Sequence, residues 1–437
     1  LLADLDFDFD IYFVAFQGEE RGLLGSAAFA DSVIGESQEI YGVVNLDMLG
    51  YNADRNQLDV TVNEDSEWMG DYLVQSGRKE GEGLRWAQYE GPGPAAHDER
   101  LHYPVSLYTG QVGTGLFLLN LWHVTKEKKY LEAALGSGRY LVQTARPSPG
   151  GGFRWEATSD RRGRAIPEGK GLGLYVGNAG IGLFLRYLHE ASGDETFAKA
   201  AAGAYERIRK EADEDEQGIH WGHGSLDIIS GEAGIGLALL EMHRLTGDHG
   251  YRAVALKAGA WLVDQADTDG DVVRWRRRGW YDPAFSHGAA GIAQFLYALE
   301  RRVPRRAAER AAAWVASTAR PCGEGCLIWD YYGGEPPEGT RDWVMYCWCH
   351  GAPGTVGLFV FLQRGAKKKT HLRTAVAGGG GILSAARMDR GGLHYLNPTY
   401  CCGAAGCIDA FCDLYLLTKE ARWRKAARKM ADDMISK

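Results

Sequence analysis

Six copies of one short pattern, a Gly-x-x-Gly that runs straight into an apolar stretch, constrain this chain more than anything else in it. They read "YTGQVGTGLFLLNL" from Tyr108, "YVGNAGIGLFLRYL" from Tyr175, "ISGEAGIGLALLEM" from Ile229, "SHGAAGIAQFLYAL" from Ser286, "CHGAPGTVGLFVFL" from Cys349 and "CCGAAGCIDAFCDL" from Cys401. Their first glycines are Gly110, Gly177, Gly231, Gly288, Gly351 and Gly403, between 52 and 67 residues apart. A period of that size with helical runs marks stacked helical hairpins. The run after each glycine pair is apolar nearly all round, which predicts a buried helix. The segment after it is amphipathic and charged, as in "KEKKYLEAALGSGRYLVQTA" (126–145) and "ETFAKAAAGAYERIRKEAD" (195–213). Inner helices ringed by outer helices make a mainly α fold, an α/α toroid. The paired glycines are expected to let inner helices start close to their neighbours and to leave free backbone N–H groups aimed at a central mouth.

The bulk numbers fit such a core. Of 437 residues, 45% are hydrophobic and 24% charged, with a formal net charge of −8. The acidic balance argues against nucleic acid as the main partner. No apolar run nears the roughly 18 residues of a membrane span. "RWRRRGW" (274–280) and "KKK" (367–369) are local basic exceptions, read as solvated loops or, more sharply, as a peptide-docking surface. All eight cysteines lie between Cys322 and Cys412. Clustering beside histidines fits a reduced, cytoplasmic chain with a metal better than a disulfide scaffold. The first residue is Leu1 rather than Met, so the chain is expected to be a fragment.

The chemistry concentrates where the later repeats begin. His287, Cys349 with His350, and Cys401 with Cys402 stand just before a Gly-x-x-Gly. If all inner helices start at one end, these side chains converge on one mouth. Cys349, Cys401 and Cys402 then supply three thiolates, and three protein ligands plus an open position is the arrangement of a catalytic zinc. Cys347 and His350 are the candidates for a fourth ligand in a closed site. Small buried cysteines are the alternative. Asp227, in "LDIISGEAG", reads either as a helix cap or as a partner for a histidine. Cys322, Cys326, Cys407 and Cys412 read as loop or core thiols.

The six repeats with "SHGAAG", "WCHGAPG" and "CCGAAG" resemble the lanthionine synthetase C family over about residues 100–437. The resemblance implies a toroid of seven repeats, six of them seen here. It implies one zinc per chain, held by Cys349, Cys401 and Cys402, with Cys402 standing where the family usually has histidine. It matches His287 to the catalytic histidine and Asp227 to an acidic residue placed four before a Gly-x-x-Gly. The implied reaction adds a cysteine thiol to dehydroalanine or dehydrobutyrine, forming a thioether. The implied partner is a peptide with Cys and dehydrated Ser or Thr, with room for a dehydratase or kinase that prepares it. His287 would protonate the enolate left by thiolate attack, as an imidazole suits a proton transfer near neutral pH. His350 stands where many bacterial members have tyrosine, and Met345 where many have arginine. Only 34 residues follow Gly403, so the ring is expected to be open by one inner helix, with bare apolar flanks near Phe117 and Phe411.

The start of the chain reads differently. "DIYFVAFQGEERGLLGS" (10–26) and "IYGVVNLDMLGY" (40–51) are apolar strands around a Gly-rich turn, an α/β pattern. The expected division is a partial α/β segment over 1–80, a Gly/Pro-rich linker over 81–100 and the toroid over 101–437. "FQGEERGLLGS" and "NLDMLGY" resemble the di-zinc aminopeptidase family, which implies Glu19 as general base and Glu20 and Asp47 as zinc ligands. That family's His-x-Asp is missing, and His97 lacks the right context, so the segment reads as an inactive remnant. The competing functions are a zinc metallo-exopeptidase with an appended helical domain, and a non-enzymatic peptide-binding scaffold.

Overall fold

The computed structural model describes residues 51–52, 57–58, 67–86, 105–108, 110–155, 171–222, 224–277, 279–332, 344–387 and 399–435. An early helix, Glu67–Ser76 (α1), precedes the repeats. The six apolar runs are helices: Gln111–Thr125 (α2), Asn178–Ser192 (α4), Glu232–Thr246 (α6), Ala289–Ala298 (α8), Ala352–Ala366 (α10) and Ala404–Thr418 (α12). Each is followed by its outer partner: Lys128–Thr144 (α3), Glu195–Lys210 (α5), His249–Asp264 (α7), Arg302–Ser317 (α9), Lys369–Arg387 (α11) and Ala421–Ile435 (α13). The inner helices pack side by side in chain order and bury most of their apolar side chains. Among the described residues there are thus six inner helices, and no helix is long and apolar enough to cross a membrane.

A second repeated device links the layers. Helix α1 and four outer helices, α3, α5, α7 and α9, are each followed by a short antiparallel hairpin and then a tryptophan: Trp86, Trp155, Trp221, Trp275 and Trp329. Each indole N–H donates to a carbonyl near the end of the preceding helix, at Leu73, Leu141, Ile208, Leu262 and Val315, over 2.7–2.8 Å. The hairpin then lies on the next outer helix. Gly83 sits against the Tyr140 backbone, Gly152 against Gly203 and Arg207, and Gly218 against Lys257 and Trp261, too close for any Cβ.

This unit includes α1. Gly70 packs on Leu121 and Tyr130, Tyr130 donates to Asp71, and Gln111 both accepts from the Trp86 N–H and donates to its carbonyl. Residues 67–86 therefore pack as a toroid unit, upstream of the boundary drawn from sequence at 101. A ten-residue helix with no Gly-x-x-Gly beside it carries little periodic signal. The corresponding first position of α6 holds Glu232, where Gln111 begins α2. One carboxyl oxygen of Glu232 accepts from the Trp221 N–H, the other has no hydrogen-bond partner among the described residues, and burial pushes the group up to about 7.

Three expectations are corrected here. The glycines do not chiefly admit neighbouring helices. In five repeats the second glycine faces the carbonyl six residues earlier in its own loop: Leu174 for Gly180, Ile228 for Gly234, Phe285 for Gly291, Trp348 for Gly354 and Tyr400 for Gly406. A Cβ there would lie 2.1–2.3 Å from that oxygen. Nor are the first-turn N–H groups all free: Asn178, Ala179, Glu232, Ala233, Gly234 and Ala289 donate to the same returning loops. The bare flanks expected near Phe117 and Phe411 are also absent. Both are buried, Phe411 stacked on Trp423 of α13. Exposure falls instead at Val124 (45%) and Leu416 (52%), near the ends of the first and last inner helices.

Candidate metal centre

The residue two before each first glycine builds the mouth. Tyr108 donates its backbone N–H to Tyr175, Tyr175 to Ile229, Ser286 to Cys349 and Cys349 to Cys401, over 2.9–3.2 Å. Successive repeats are thus tied at the position that carries Cys349 and Cys401. The step from Ile229 to Ser286 is missing because Asp227 Oδ1 takes the Ile229 N–H, along with those of Ser230 and Gly231.

Asp227 does two things at once. Oδ1 caps its own loop, while Oδ2 lies 2.7 Å from His287 Nδ1 in the next repeat. Burial works to raise its pKa, but the charge and hydrogen bond of His287, the Ser230 N–H and Ser225 outweigh it and hold the carboxyl at about 2. His287 stands 5.8 Å, ring to ring, from His350, which stacks on Tyr331 at 4.4 Å. His350 Nε2 lies 3.8 Å from Asp282, a fully buried carboxylate also met by Arg277 at 3.4 Å. An Asp of one repeat facing a His of the next therefore occurs twice. Asp282 was not singled out from sequence, because it sits six rather than four residues before its glycine.

Cys347, Cys349, Cys401 and Cys402 are all buried, and the Cys349 carbonyl accepts from the N–H of Ser286, the residue before His287. Cys349 Sγ is 3.4 Å from Cys402 Sγ, and Cys402 Sγ is 3.5 Å from Cys401 Sγ. The set whose sulfurs all fall within 4.8 Å of one another is Cys347, Cys349 and Cys402. Cys401 thus adjoins this set through Cys402 and Cys349, and Cys347, not expected among the three, belongs to it. A hydrogen bond with Cys347 works to lower the Cys402 thiol, but that with Cys349 and burial push it up to about 12; hydrogen bonds with Cys347 and Cys401 push Cys349 up as well. Soft, crowded, water-excluded sulfurs are the donor set a zinc ion takes, and a dication is what would hold them deprotonated. The residues fit the metal.

Other candidates fall elsewhere. Cys322 and Cys326 are not free thiols: they form a disulfide across a tight hairpin, Arg320–Gly323 with Cys326–Ile328, whose turn brings them together. Cys407 is a buried core thiol against the Tyr346 carbonyl. Within "RWRRRGW", Arg274 stacks on Tyr281, Arg276 meets Asp267 and Arg277 meets Asp282, so these cations have local partners. Lys368 of "KKK" pairs with Glu309. Glu19, Glu20, Asp47 and His97 lie outside the described residues.

Comparison with known proteins bears on the family and the fold. Residues 102–437 match the family model "Lanthionine synthetase C-like protein", and residues 1–98 match that of "Peptidase family M28". The second match spans 67–86, the stretch that packs here as a toroid unit. No curated protein sequence matches. Among solved structures, "Nisin cyclase" overlays with a TM-score of 0.57 at 15% identity, over 85% of this chain and 88% of that one. A D-mannose isomerase overlays at 0.47 and 16% identity, over 73% and 86%. The first likeness shows the α/α toroid.

Proposed function

Since the chain belongs to the lanthionine synthetase C-like family, we propose that it is a zinc-dependent enzyme that adds a peptide cysteine thiol to dehydroalanine or dehydrobutyrine. The observation that carries this reading is that a buried thiol cluster and the His287–Asp227 pair both stand at the starts of consecutive inner helices. Cys349, Cys401 and Cys402 are assigned to hold the metal, which when bound lowers the pKa of a substrate thiol and presents it as thiolate.

The rest falls to the chain's own groups. Attack on the unsaturated amide moves a pair of electrons onto the carbonyl oxygen and then the α-carbon, which needs one proton. The substrate thiol has released one, so the addition balances without an oxidant or reductant. Asp227 accepts from Nδ1–H of His287, which orients the ring and assigns Nε2 the exchange of that proton. Asp227 stays ionised throughout the physiological range, with its carboxyl held at about 2.

The test is a dehydrated peptide bearing one cysteine, incubated with the zinc-loaded protein. Cyclisation leaves the mass unchanged, so loss of thiol alkylation is the readout. Zinc content of Cys349→Ala, Cys401→Ala and Cys402→Ala is measured alongside. A thiol that stays as reactive as without enzyme, or full zinc retention in all three variants, would sink the reading.

A further inference from the structure

We infer that Cys347 is a fourth metal-binding thiol, a ligand that lies outside the Gly-x-x-Gly positions and that none of the repeats has in common. The inference rests on the metal reading above. Its support is the path of one loop. Five of the six glycines at inner-helix starts have extended backbone, with φ between −105° and −161°. Gly351 has φ 116°, the region open chiefly to glycine. The chain around it closes on itself: Tyr346 pairs with Gly351, and the Cys347 N–H donates to the His350 carbonyl. A Cβ on Gly351 would meet the Met345 carbonyl oxygen, so the turn is specific to glycine.

That turn folds Cys347 back over the mouth. Its side chain is fully buried, and its sulfur lies 3.3 Å from the carbonyl oxygen of Cys402 in the next repeat. It also falls within 4.8 Å of both Cys349 and Cys402 sulfurs. Cys401 adds a fourth thiol beside this set, its sulfur 3.5 Å from that of Cys402. An ordinary core cysteine such as Cys407 has no thiol within hydrogen-bond reach; its sulfur faces a carbonyl alone. With four thiolates on a tetrahedral zinc, a substrate thiol would have to replace one of them to be activated.

The experiment counts sulfurs. The zinc-loaded full chain is studied by X-ray absorption, where zinc–sulfur and zinc–nitrogen or –oxygen shells differ (~2.3 Å against ~2.0–2.2 Å). Cobalt-substituted protein gives a second count from thiolate-to-metal charge-transfer intensity. The variants are Cys347→Ala and Cys347→Ser, with Cys407→Ala as the control for losing a buried thiol. Four sulfurs are expected in the wild type and in Cys407→Ala, and three in both Cys347 variants. Zinc affinity against a chelator should fall by at least ~10-fold in these, since even supporting groups around a metal cost ~10–100-fold. A wild-type count of three that drops to two without Cys347 upholds the ligand and removes Cys401 from the set. Three sulfurs in wild type and Cys347→Ala alike, with zinc bound, overturns the inference and leaves the metal reading standing. A wild type that binds no zinc overturns both. If Cys347→Ala fails to fold, the serine variant carries the comparison.

Discussion

Gly354 and Gly357 lie one turn apart on the helix that begins beside Cys349, and the same substitution should act oppositely at the two. A Cβ on Gly354 would stand 2.1 Å from the Trp348 carbonyl oxygen and 2.6 Å from Phe285 Cβ. Contacts under 3.0 Å do not occur for real Cβ atoms, so the loop at Trp348 must retreat by about 0.9 Å, in an interior packed too densely to absorb it. Overpacking of this kind costs about 1–3 kcal/mol. A Cβ on Gly357 meets nothing within 4 Å, and there Gly→Ala should gain about 0.4–1 kcal/mol by restricting the unfolded chain. The two variants should therefore differ by about 1.4–4 kcal/mol in urea unfolding. The displaced residue adjoins Cys349, so Gly354→Ala should also lose zinc to a chelator that leaves Gly357→Ala loaded. Equal stability and equal zinc retention in the two would refute the claim that the returning loop, pressed onto a bare helix start, positions the thiol.

His287→Ala is expected to lower thioether formation by ~10²–10⁴-fold while keeping wild-type zinc; unchanged turnover on a dehydrated peptide rules out the proton-donor role. Glu232→Gln should stabilise the fold above neutral pH, because glutamine can make both bonds that Gln111 makes to Trp86. The shift of Glu232 from 4.5 to about 7 corresponds to about 3 kcal/mol. The folded pKa of this acid is raised, so the wild type is relatively most stable below pH 4.5 and loses that margin as pH rises through 7. Unfolding free energies measured from pH 4 to 8 that stay parallel for the two proteins contradict it. Trp221→Phe strands the buried Ile208 carbonyl, for a loss of about 1–3 kcal/mol; a melting curve identical to wild type shows that the indole bond contributes nothing.

The toroid was legible because its signal is periodic and strong: six glycine pairs, each before an apolar run. His287, Cys349, Cys401 and Cys402 could be picked out because each stands one or two residues before such a glycine, and Asp227 because it stands four before one. What the sequence hid was out of register or too short to show a period. Asp282 lies six residues ahead of its glycine, and the turn that seats Cys347, named from sequence only as one of two candidate fourth ligands, depends on the sign of one φ angle. The unit of α1 with Trp86 has weak helix and strand signals, and its membership in the ring shows only in Gln111 clasping Trp86 and Gly70 resting on Tyr130. The pairing of Cys322 with Cys326 needed the hairpin's geometry. The role of the glycines was read only in part: the preceding repeat does crowd Gly291 and Gly354, but the carbonyl of each glycine's own loop lies nearer still.

The backbone ties around the mouth have a consequence for motion. They form two arcs, Tyr108–Tyr175–Ile229 and Ser286–Cys349–Cys401, with no such tie between Ile229 and Ser286 among the described residues. Across that break runs the bond from Asp227 to His287. The pair assigned to move a proton is therefore also the clasp between two half-collars. All the sulfurs ride on one half with the imidazole, and the carboxylate rides on the other. A peptide wedged into the mouth would strain the clasp before any metal–sulfur distance, so hinge-like breathing of the ring would register first in how firmly that imidazole is held.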